Sequence, residues 1–528
     1  MPAFNTVVVS AIVIFASLPG SATKCEDLLS LKLAETTITS AQLVAPGAFT
    51  PLAPLDPQDG PALFKDLPAF CRVAAQIAPT KDSDIKMEVW LPLSGWNGKY
   101  QGVGNGGFAG TIFYQGLAEA VRHGYATTAT DTGHSGSATD ARWALGHPEK
   151  IVDFGHRAIH ETSLNAKAVI KAFYGDSPKR SYFAGCSNGG RQALMEAQRY
   201  PEDYDGIIAG APAHNFTHLL AGAVWDAQAT LGNPASYIPA SKIPAISAAA
   251  LAACDAQDGV KDGLLSDPPA CAFDPATLLC KQGETADSNG CLSAAQLAAL
   301  RKIHAGAVNS KGEQIRPGIP FGGEAGLGGW SLWITGQQPR GALLLAFVNG
   351  FFRNMVFDDP NWDFNTFNFD TGVKLTDEKQ ARTLNATDPN LKAFKARGGK
   401  LILYHGWSDP AISALGTIDY YNSLEDSSSF VRLFLAPGMQ HCSGGPGPNI
   451  FGQFGPSVLQ DPQHSIFSAM EQWVEKGVAP EKVIATKFNG AVRISRPLCS
   501  YPQTAKYKGS GDVNQAENWE CWKEAAAH

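Results

Sequence analysis

The sequence predicts an α/β protein, with helices flanking a mostly parallel sheet and a large insertion interrupting it. Three observations lead there. A β-prone run at 182–184 passes through Gly185-Cys-Ser187-Asn-Gly189 into a helix-forming run at 191–199. A further strand at 205–209 follows at once, and strand, helix, strand in that order argues for parallel pairing. Between about His214 and Asn390 this alternation stops, and an alanine-rich helix, four cysteines, Gly-rich turns and many aromatics replace it. At 528 residues, 44% hydrophobic and 17% charged, the chain can bury a large core and exceeds one typical domain. The expected division is a leader at 1–22, a first part of the α/β core at 23–213, the insertion at 214–392, and the rest of the core at 393–528.

Residues 7–18 are an apolar centre too short to span a bilayer, and Gly20 and Ala22 supply small residues for cleavage. The stretch reads as a secretory signal; an interfacial anchor or a buried first strand is the alternative, because no Lys or Arg precedes the apolar run. Residues 25–79 read as Pro-rich and irregular, with Cys25 able to staple the segment to Cys71. Two β-like runs, 85–93 and 99–103, flank a turn at 94–98. The second delivers the chain into Gly104-Asn-Gly-Gly-Phe-Ala-Gly110, which lacks both the Gly-Lys-Ser/Thr ending of a P-loop and the spacing of a dinucleotide fingerprint. Such a loop after an early strand can supply one donor of an oxyanion hole; a surface turn is the plainer reading. Next come a strand at 125–131 and an amphipathic helix at 151–174 carrying His156 and His160. A metal there would need a third ligand with no obvious source, so these read as solvated or core histidines.

Within the insertion, 239–253 reads as helix, and 321–369 holds eleven aromatic residues, most of them expected in a core. Asp255, Asp258 and Asp262 lie in a Gly-punctuated loop and could surround a hard cation such as Ca²⁺, with the carbonyls of Val260 and Leu264 completing the set. Acidic turns at Asp-Gly pairs are the alternative. The core resumes with a strand at 400–404 followed by His405-Gly-Trp-Ser-Asp409. A second strand at 430–436 is followed by Pro437-Gly-Met-Gln-His441-Cys442, and a helix at 465–476 closes the core.

A net charge of −7 leaves no electrostatic footprint for nucleic acid or anionic membrane, and after the leader no uncharged run reaches the ~18 residues of a transmembrane helix. The expected partner is therefore a small molecule. A Gly-x-Ser-x-Gly sequence between strand and helix is the pattern of a nucleophile elbow, and such hydrolases order their triad Ser, then Asp or Glu, then His. Ser187, Asp409 and His441 satisfy that order, and both later residues follow β-like runs. The rival acids Asp419, Asp426 and Asp461 do not directly follow a strand, and the other late histidines are His464 and His528. Cys186 and Cys442 adjoin the nucleophile and the base; if those two side chains meet, their neighbours can fall within the roughly 4.4–6.8 Å Cα separation of a disulfide. Cys254 with Cys271, Cys280 with Cys291 and Cys499 with Cys521 would make local closures. Ten cysteines, an even number, suit an oxidising compartment.

Cys186-Ser187, Asp409 and His441-Cys442 together resemble the Cys-Ser/Asp/His-Cys constellation of the tannase and feruloyl esterase family, which includes a mono(2-hydroxyethyl) terephthalate hydrolase. The likeness extends over Trp96-Asn-Gly98, 204–212, Pro437-Gly-Met439 and 506–512. It implies an α/β-hydrolase core with a lid inserted after the sixth strand. It also implies a structural Ca²⁺ site at Asp255, Asp258, Val260, Asp262 and Leu264, no organic cofactor, and the pairs Cys25–Cys71, Cys186–Cys442, Cys254–Cys271, Cys280–Cys291 and Cys499–Cys521. The family's oxyanion donors map onto the backbone N–H groups of Asn188 and Gly107, and its substrate-contacting lid tryptophan onto Trp333. Its terephthalate-ester hydrolases hold the substrate carboxylate with a lid arginine; here 342–347 is apolar, with Arg340 and Arg353 to either side, which weighs against that substrate. Only Asn215 and Asn385 begin glycosylation sequons, fewer than fungal members carry, so an exported bacterial enzyme is expected, secreted or periplasmic. The expected function is a serine esterase acting on feruloyl-type aromatic esters. Galloyl or terephthalate monoesters are alternative substrates, and a non-catalytic hydrolase-fold binding protein is the alternative of another class. Oligomeric state is not legible.

Overall fold

The computed structural model describes residues 24–51, 60–282, 288–453, 455 and 458–523, so the expected leader at 1–22 lies outside the described residues. The strands in chain order are β1 (Thr36–Val44), β2 (Phe70–Ile77), β3 (Ile85–Pro92), β4 (Lys99–Val103), β5 (Ala126–Thr130), β6 (Arg180–Cys186), β7 (Gly206–Gly210), β8 (Gly306–Val308), β9 (Gln314–Pro317), β10 (Lys400–Gly406), β11 (Val431–Ala436), β12 (Lys482–Asn489), β13 (Val492–Cys499), β14 (Thr504–Tyr507) and β15 (Trp519–Trp522). One nine-stranded sheet runs β1-β2-β3-β5-β4-β6-β7-β10-β11. From β5 through β11 every pairing is parallel, whereas β1, β2 and β3 join antiparallel.

The parallel strands are apolar because both faces are covered. Helices Ala158–Tyr174, Asn188–Arg199 and Ala414–Ser423 pack one face, where Ile170, Leu194, Ile207, Leu403 and Tyr420 share a core. On the other face, Met470 and Trp473 of helix Ile466–Lys476 meet Tyr182, Ile402 and Phe434.

The segment 25–79 departs from its expected irregularity, since it contains both β1 and β2. β1 is a half-exposed strand, Thr-Thr-Ile-Thr-Ser-Ala-Gln-Leu-Val, and pairing with β2 rather than an apolar face defines it. Inside β2, Arg72 breaks the apolar run, but it is buried and its Nε donates to Glu88 Oε2 of β3 at 2.8 Å. The extra edge strand also makes the insertion follow the seventh strand in chain order, not the sixth.

Between β7 and β10 the chain leaves the sheet and forms helices and the small β8–β9 hairpin, with a core of their own. Val224, Leu300, Trp330, Val348, Phe351 and Phe352 belong to it, and it continues onto Phe108 and Phe154 of the sheet's loops. Residues 234–254 are apolar enough by composition to cross a bilayer, but two 3₁₀ turns interrupt them, and only Ile243–Cys254 is continuous α-helix. At 12 residues it rises about 18 Å, short of the ~30 Å of hydrocarbon a span must cross. The Lys242 ammonium just before it is buried and donates to the carbonyl of Ser288 at 2.8 Å, so this is a core helix whose start lies four residues after the expected one.

Five disulfides close Cys25–Cys71, Cys186–Cys442, Cys254–Cys271, Cys280–Cys291 and Cys499–Cys521.

Candidate active site

The turn from β6 into helix Asn188–Arg199 holds Ser187 at φ 62°, ψ −121°, a conformation that costs an L-residue energy and lifts its side chain off the sheet. The flanking glycines make the turn possible. A Cβ on Gly185 would lie 2.6 Å from the carbonyl of Gly189, and one on Gly190 would lie 2.3 Å from Gly210 O. Ser187 is also pinned by its backbone, for its N–H donates to Gly210 O at 3.0 Å and its carbonyl accepts from Arg191 and Ala213 at 3.1 and 3.0 Å.

Asp409 follows β10 and His441 follows β11, and the parallel pairing of those strands sets the two loops side by side. His441 Nδ1 donates to Asp409 Oδ2 at 2.8 Å. The acid is buried, and its Oδ1 accepts the N–H groups of Ala411 and Ile412 at 2.8 and 3.0 Å. Burial pushes the Asp409 carboxyl up, but the His441 charge and the hydrogen bonds from His405 and His441 outweigh burial and hold it well below the usual carboxylate range.

Sequence reasoning missed a role for His405. This buried side chain puts Nε2 3.2 Å from Asp409 Oδ2 and 3.0 Å from Ile412 O, while Nδ1 meets Thr417 Oγ1 at 2.8 Å. Its position at the end of β10, four residues before the acid, was the available signal.

Ser187 and His441 line one cavity of about 530 Å³ together with Gly107, Asn188 and Trp333. Among the described residues no hydrogen bond joins Ser187 Oγ to His441. The Cys186–Cys442 bridge holds their neighbours at a Cα separation of 5.9 Å, and nucleophile–base contacts of this kind tighten when substrate binds. Gly107 has φ +56°, and a Cβ there would lie 2.4 Å from Ala138 O, so only glycine fits the loop. Trp333 meets His441 edge to face at 4.9 Å. Leu219, Leu220, Leu343, Leu344 and Phe347 make the rest of the wall largely apolar. Of the eleven aromatics in 321–369, Trp333 and Phe347 reach this cavity; Trp330, Phe351, Phe352, Trp362, Phe364 and Phe367 are buried in the insertion's core. Neither flanking arginine lines it: Arg340 sits over the Phe364 ring at 5.5 Å, and Arg353 Nε donates to Trp362 O at 3.1 Å.

In the 255–264 loop most of the carboxylate oxygens are engaged by donors of the protein itself. Asp255 accepts the N–H groups of Asp262 and Gly263 at 3.1 and 3.0 Å, Asp258 accepts from Ser266 Oγ at 2.6 Å, and Asp262 Oδ2 pairs with Arg496 at 2.7 Å. Asp262 Oδ1, however, is buried without a hydrogen-bond partner, and burial pushes the Asp258 carboxyl up. Among the described residues the acidic group close enough for a shared ion lies elsewhere. Ligand atoms of His160, Glu196 and Asp203 fall within 4.8 Å of one another, so a metal could bind there. His156 is not part of that group and meets Tyr200 Oη at 2.7 Å, as a core histidine would, while the partners of His160 come from the next helix and the turn after it, beyond the reach of a helical repeat. Lys167 shares that site, with Nζ 3.8 Å from Asp203 Oδ1.

Residues 71–522 match the sequence model described as tannase and feruloyl esterase. An uncharacterised esterase of Xanthomonas campestris pv. campestris is 45% identical over 94% of this chain and 91% of its own length. Feruloyl esterase B of Aspergillus niger is 34% identical over 86% of each chain. The crystal structure of feruloyl esterase B from Aspergillus oryzae superimposes with a TM-score of 0.87 at 30% identity, covering 94% of this chain and 99% of that one.

Proposed function

The chain belongs to the tannase and feruloyl esterase family as a carboxylic ester hydrolase, and from that premise we propose that it cleaves feruloyl-type aromatic esters through a Ser187–His441–Asp409 triad. The observation that carries this reading is the meeting of the strained Ser187 and the Asp409-bound His441 on one largely apolar cavity.

In this scheme His441 takes the Ser187 proton as Oγ attacks the ester carbonyl, while Asp409 fixes the tautomer that leaves His441 Nε2 free to act and stabilises the imidazolium. The backbone N–H groups of Asn188 and Gly107 hold the oxyanion; losing one such donor costs about 10²–10³ in kcat. His441 returns the proton to the leaving alcohol, and water repeats the sequence on the acyl-enzyme. The cavity's size suits a single aromatic ring with its ester, and its apolar wall would receive that ring and exclude water. The neutral lining and the engagement of Arg340 and Arg353 elsewhere favour ferulate or gallate over a carboxylate-bearing terephthalate monoester. The relatives named feruloyl esterase B favour ferulate.

A structural Ca²⁺ would sit on the 255–264 loop, with Asp255, Asp258 and Asp262 and the carbonyls of Val260 and Leu264 as oxygen ligands. The partnerless Asp262 Oδ1 and the burial strain on Asp258 support it. Five disulfides favour an oxidising compartment, secreted or periplasmic.

The test compares wild type with Ser187→Ala on methyl ferulate, methyl gallate and a terephthalate monoester. Wild type should favour ferulate, and the variant should lose turnover by about 10⁴ or more. Retained turnover in Ser187→Ala would remove the triad, and preference for the terephthalate ester would remove the assignment of the acyl group.

A further inference from the structure

Resting on the reading of Asn188 and Gly107 as oxyanion donors, we infer that Arg191 is an electrostatic positioning residue, a buried cation acting through Asn188 on the amides that face the oxyanion. Arg191 has no exposed surface. Its Nε donates to Asn188 Oδ1 at 2.9 Å, Nη1 to the carbonyls of Gly155 and Leu384 at 2.7 and 3.3 Å, and Nη2 to Phe154 O at 3.0 Å. Every one of these acceptors is neutral, and among the described residues no carboxylate forms an ion pair with it. The charged group that presses on it is Arg199; on the neighbouring 153–157 segment the Asp153 carboxylate is taken up by Arg157, whose Nε donates to it at 2.5 Å, and burial pushes His156 down, so none of them is an ion-pair partner of Arg191. A buried cation is costly to keep unless something repays the lost hydration. Four hydrogen bonds and the faces of Phe154 and Phe216, at 4.8 and 5.4 Å, do so in part. The anion it lacks at rest is the one that forms during turnover, on the far side of Asn188.

The hydrogen bonds connecting the two places have a fixed direction. A guanidinium can only donate, so the amide of Asn188 turns Oδ1 toward Arg191 and Nδ2 toward Asn105 Oδ1, at 3.0 Å. Asn105 Nδ2 in turn donates to the carbonyl of Thr130 at 3.1 Å, which can only accept. Gln192 braces the same amide, donating to Asn105 Oδ1 at 2.8 Å and accepting the Asn105 N–H at 3.2 Å. The side-chain dipoles of Asn188 and Asn105 therefore line up head to tail from the charge, and aligned bonds of this kind polarise one another. Asn188 carries one oxyanion donor on its own backbone, and Asn105 opens the loop that carries the other at Gly107. Phe216, against which the guanidinium rests, also lines the cavity, so the charge reaches the reaction through a low-dielectric layer. Burial pushes the guanidinium down to about 9, which leaves it charged at neutral pH.

The experiment compares Arg191→Met, similar in volume but uncharged, with Arg191→Lys, which keeps the charge without the fork. Kinetics on methyl ferulate are followed by inhibition with an aryl boronic acid, which binds a serine nucleophile as a tetrahedral anion. Arg191→Met should lower kcat by about tenfold or more and weaken boronate inhibition by a similar factor, with KM within about threefold. Arg191→Lys should recover kcat near pH 6 and lose it at a lower pH than wild type, because an ammonium starts about two units below a guanidinium and the same burial discharges it first. Two results overturn the inference: Arg191→Met keeping kcat within about threefold of wild type, or Arg191→Lys giving the wild-type pH profile, a readout that decides the matter even if Arg191→Met fails to fold. Failure of the triad reading would register separately, as turnover retained by Ser187→Ala.

Discussion

Replacing Asp409 by Asn tests the triad at the group whose surroundings are most completely determined. The carboxylate makes no contact with solvent, and its oxygens face four donors: the N–H groups of Ala411 and Ile412, His441 Nδ1, and His405 Nε2 at 3.2 Å. An asparagine can keep the two backbone bonds through its carbonyl oxygen. Its amide nitrogen then points at His441 Nδ1, which must surrender its proton, so the base turns up in the wrong tautomer with Nε2 protonated. The same change in another serine hydrolase triad costs about 10⁴ in kcat, which is about 5.4 kcal/mol of transition-state stabilisation. For this chain kcat on methyl ferulate should fall by about that factor, with KM within about threefold, since Asp409 is not on the cavity wall. Stability should change with a definite sign. The folded carboxyl is held below its unfolded value of about 3.9, so its contribution is present above about pH 4 and disappears as the pH falls through the folded value. The melting temperature of wild type should therefore exceed that of Asp409→Asn at neutral pH, and the lead should shrink below about pH 4. A kcat within about tenfold of wild type would refute the assignment of Asp409 as the residue that orients His441.

The remaining predictions concern the supports of the site. Removing the bridge with Cys186→Ser and Cys442→Ser should cost about 2–5 kcal/mol of stability in a denaturant titration and lower kcat, because it spans 256 residues and joins the two catalytic loops; unchanged kinetics would deny it a role in alignment. Chelation should lower the melting temperature if the 255–264 loop holds Ca²⁺, and an unchanged melt with no calcium by elemental analysis would reject that site. Glu324 is fully buried, and burial pushes its carboxyl up to about 7 against the N–H groups that favour its ionisation. With the folded value above the unfolded one, ionisation costs stability as the pH rises from about 4 to 7, so the melting temperature of Glu324→Gln relative to wild type should climb across that window; a constant difference would contradict it.

The α/β core was legible because its parallel strands are continuous apolar runs bounded by turn residues; β4 and the start of β10 fall where expected. β1 was not legible, since a half-exposed edge strand rich in Thr, Ser and Gln carries little signal of its own and is defined by its pairing. At the candidate site, Ser187 stands out by its local motif, Asp409 and His441 stand out because each follows a strand, and the paired cysteines beside Ser187 and His441 tie these distant parts of the chain together. His405, Asn105, Gln192 and Arg191 were not found, for their significance lies in which side chain each one meets across the fold. The 255–264 loop shows the opposite limit: sequence supplies the ligand types but not whether their oxygens converge or go to backbone N–H groups and Arg496.

Of the nine non-glycine residues with positive φ among the described residues, four, Ser187, Ala109, Ala211 and Cys442, lie on loops that border the elbow or His441. Such conformations cost about 1–3 kcal/mol each and persist only where surrounding contacts overrule them. Those contacts are visible here: three backbone hydrogen bonds on Ser187, the bridge through Cys442, and the close approach of Gly104 to Gly189, where a Cβ would lie 2.7 Å from the neighbouring Cα. Arg191 breaks a different rule, that of the unpaired buried charge, and it does so one side chain away from the same turn. Backbone strain fixes the position of Ser187, and under the proposed mechanism the neutral amides between Arg191 and the loop would carry its field toward the oxyanion. A carboxylate beside Arg191, the most deeply buried cation among the described residues, would satisfy the charge and cancel that field, so introducing one should lower turnover if the inference holds.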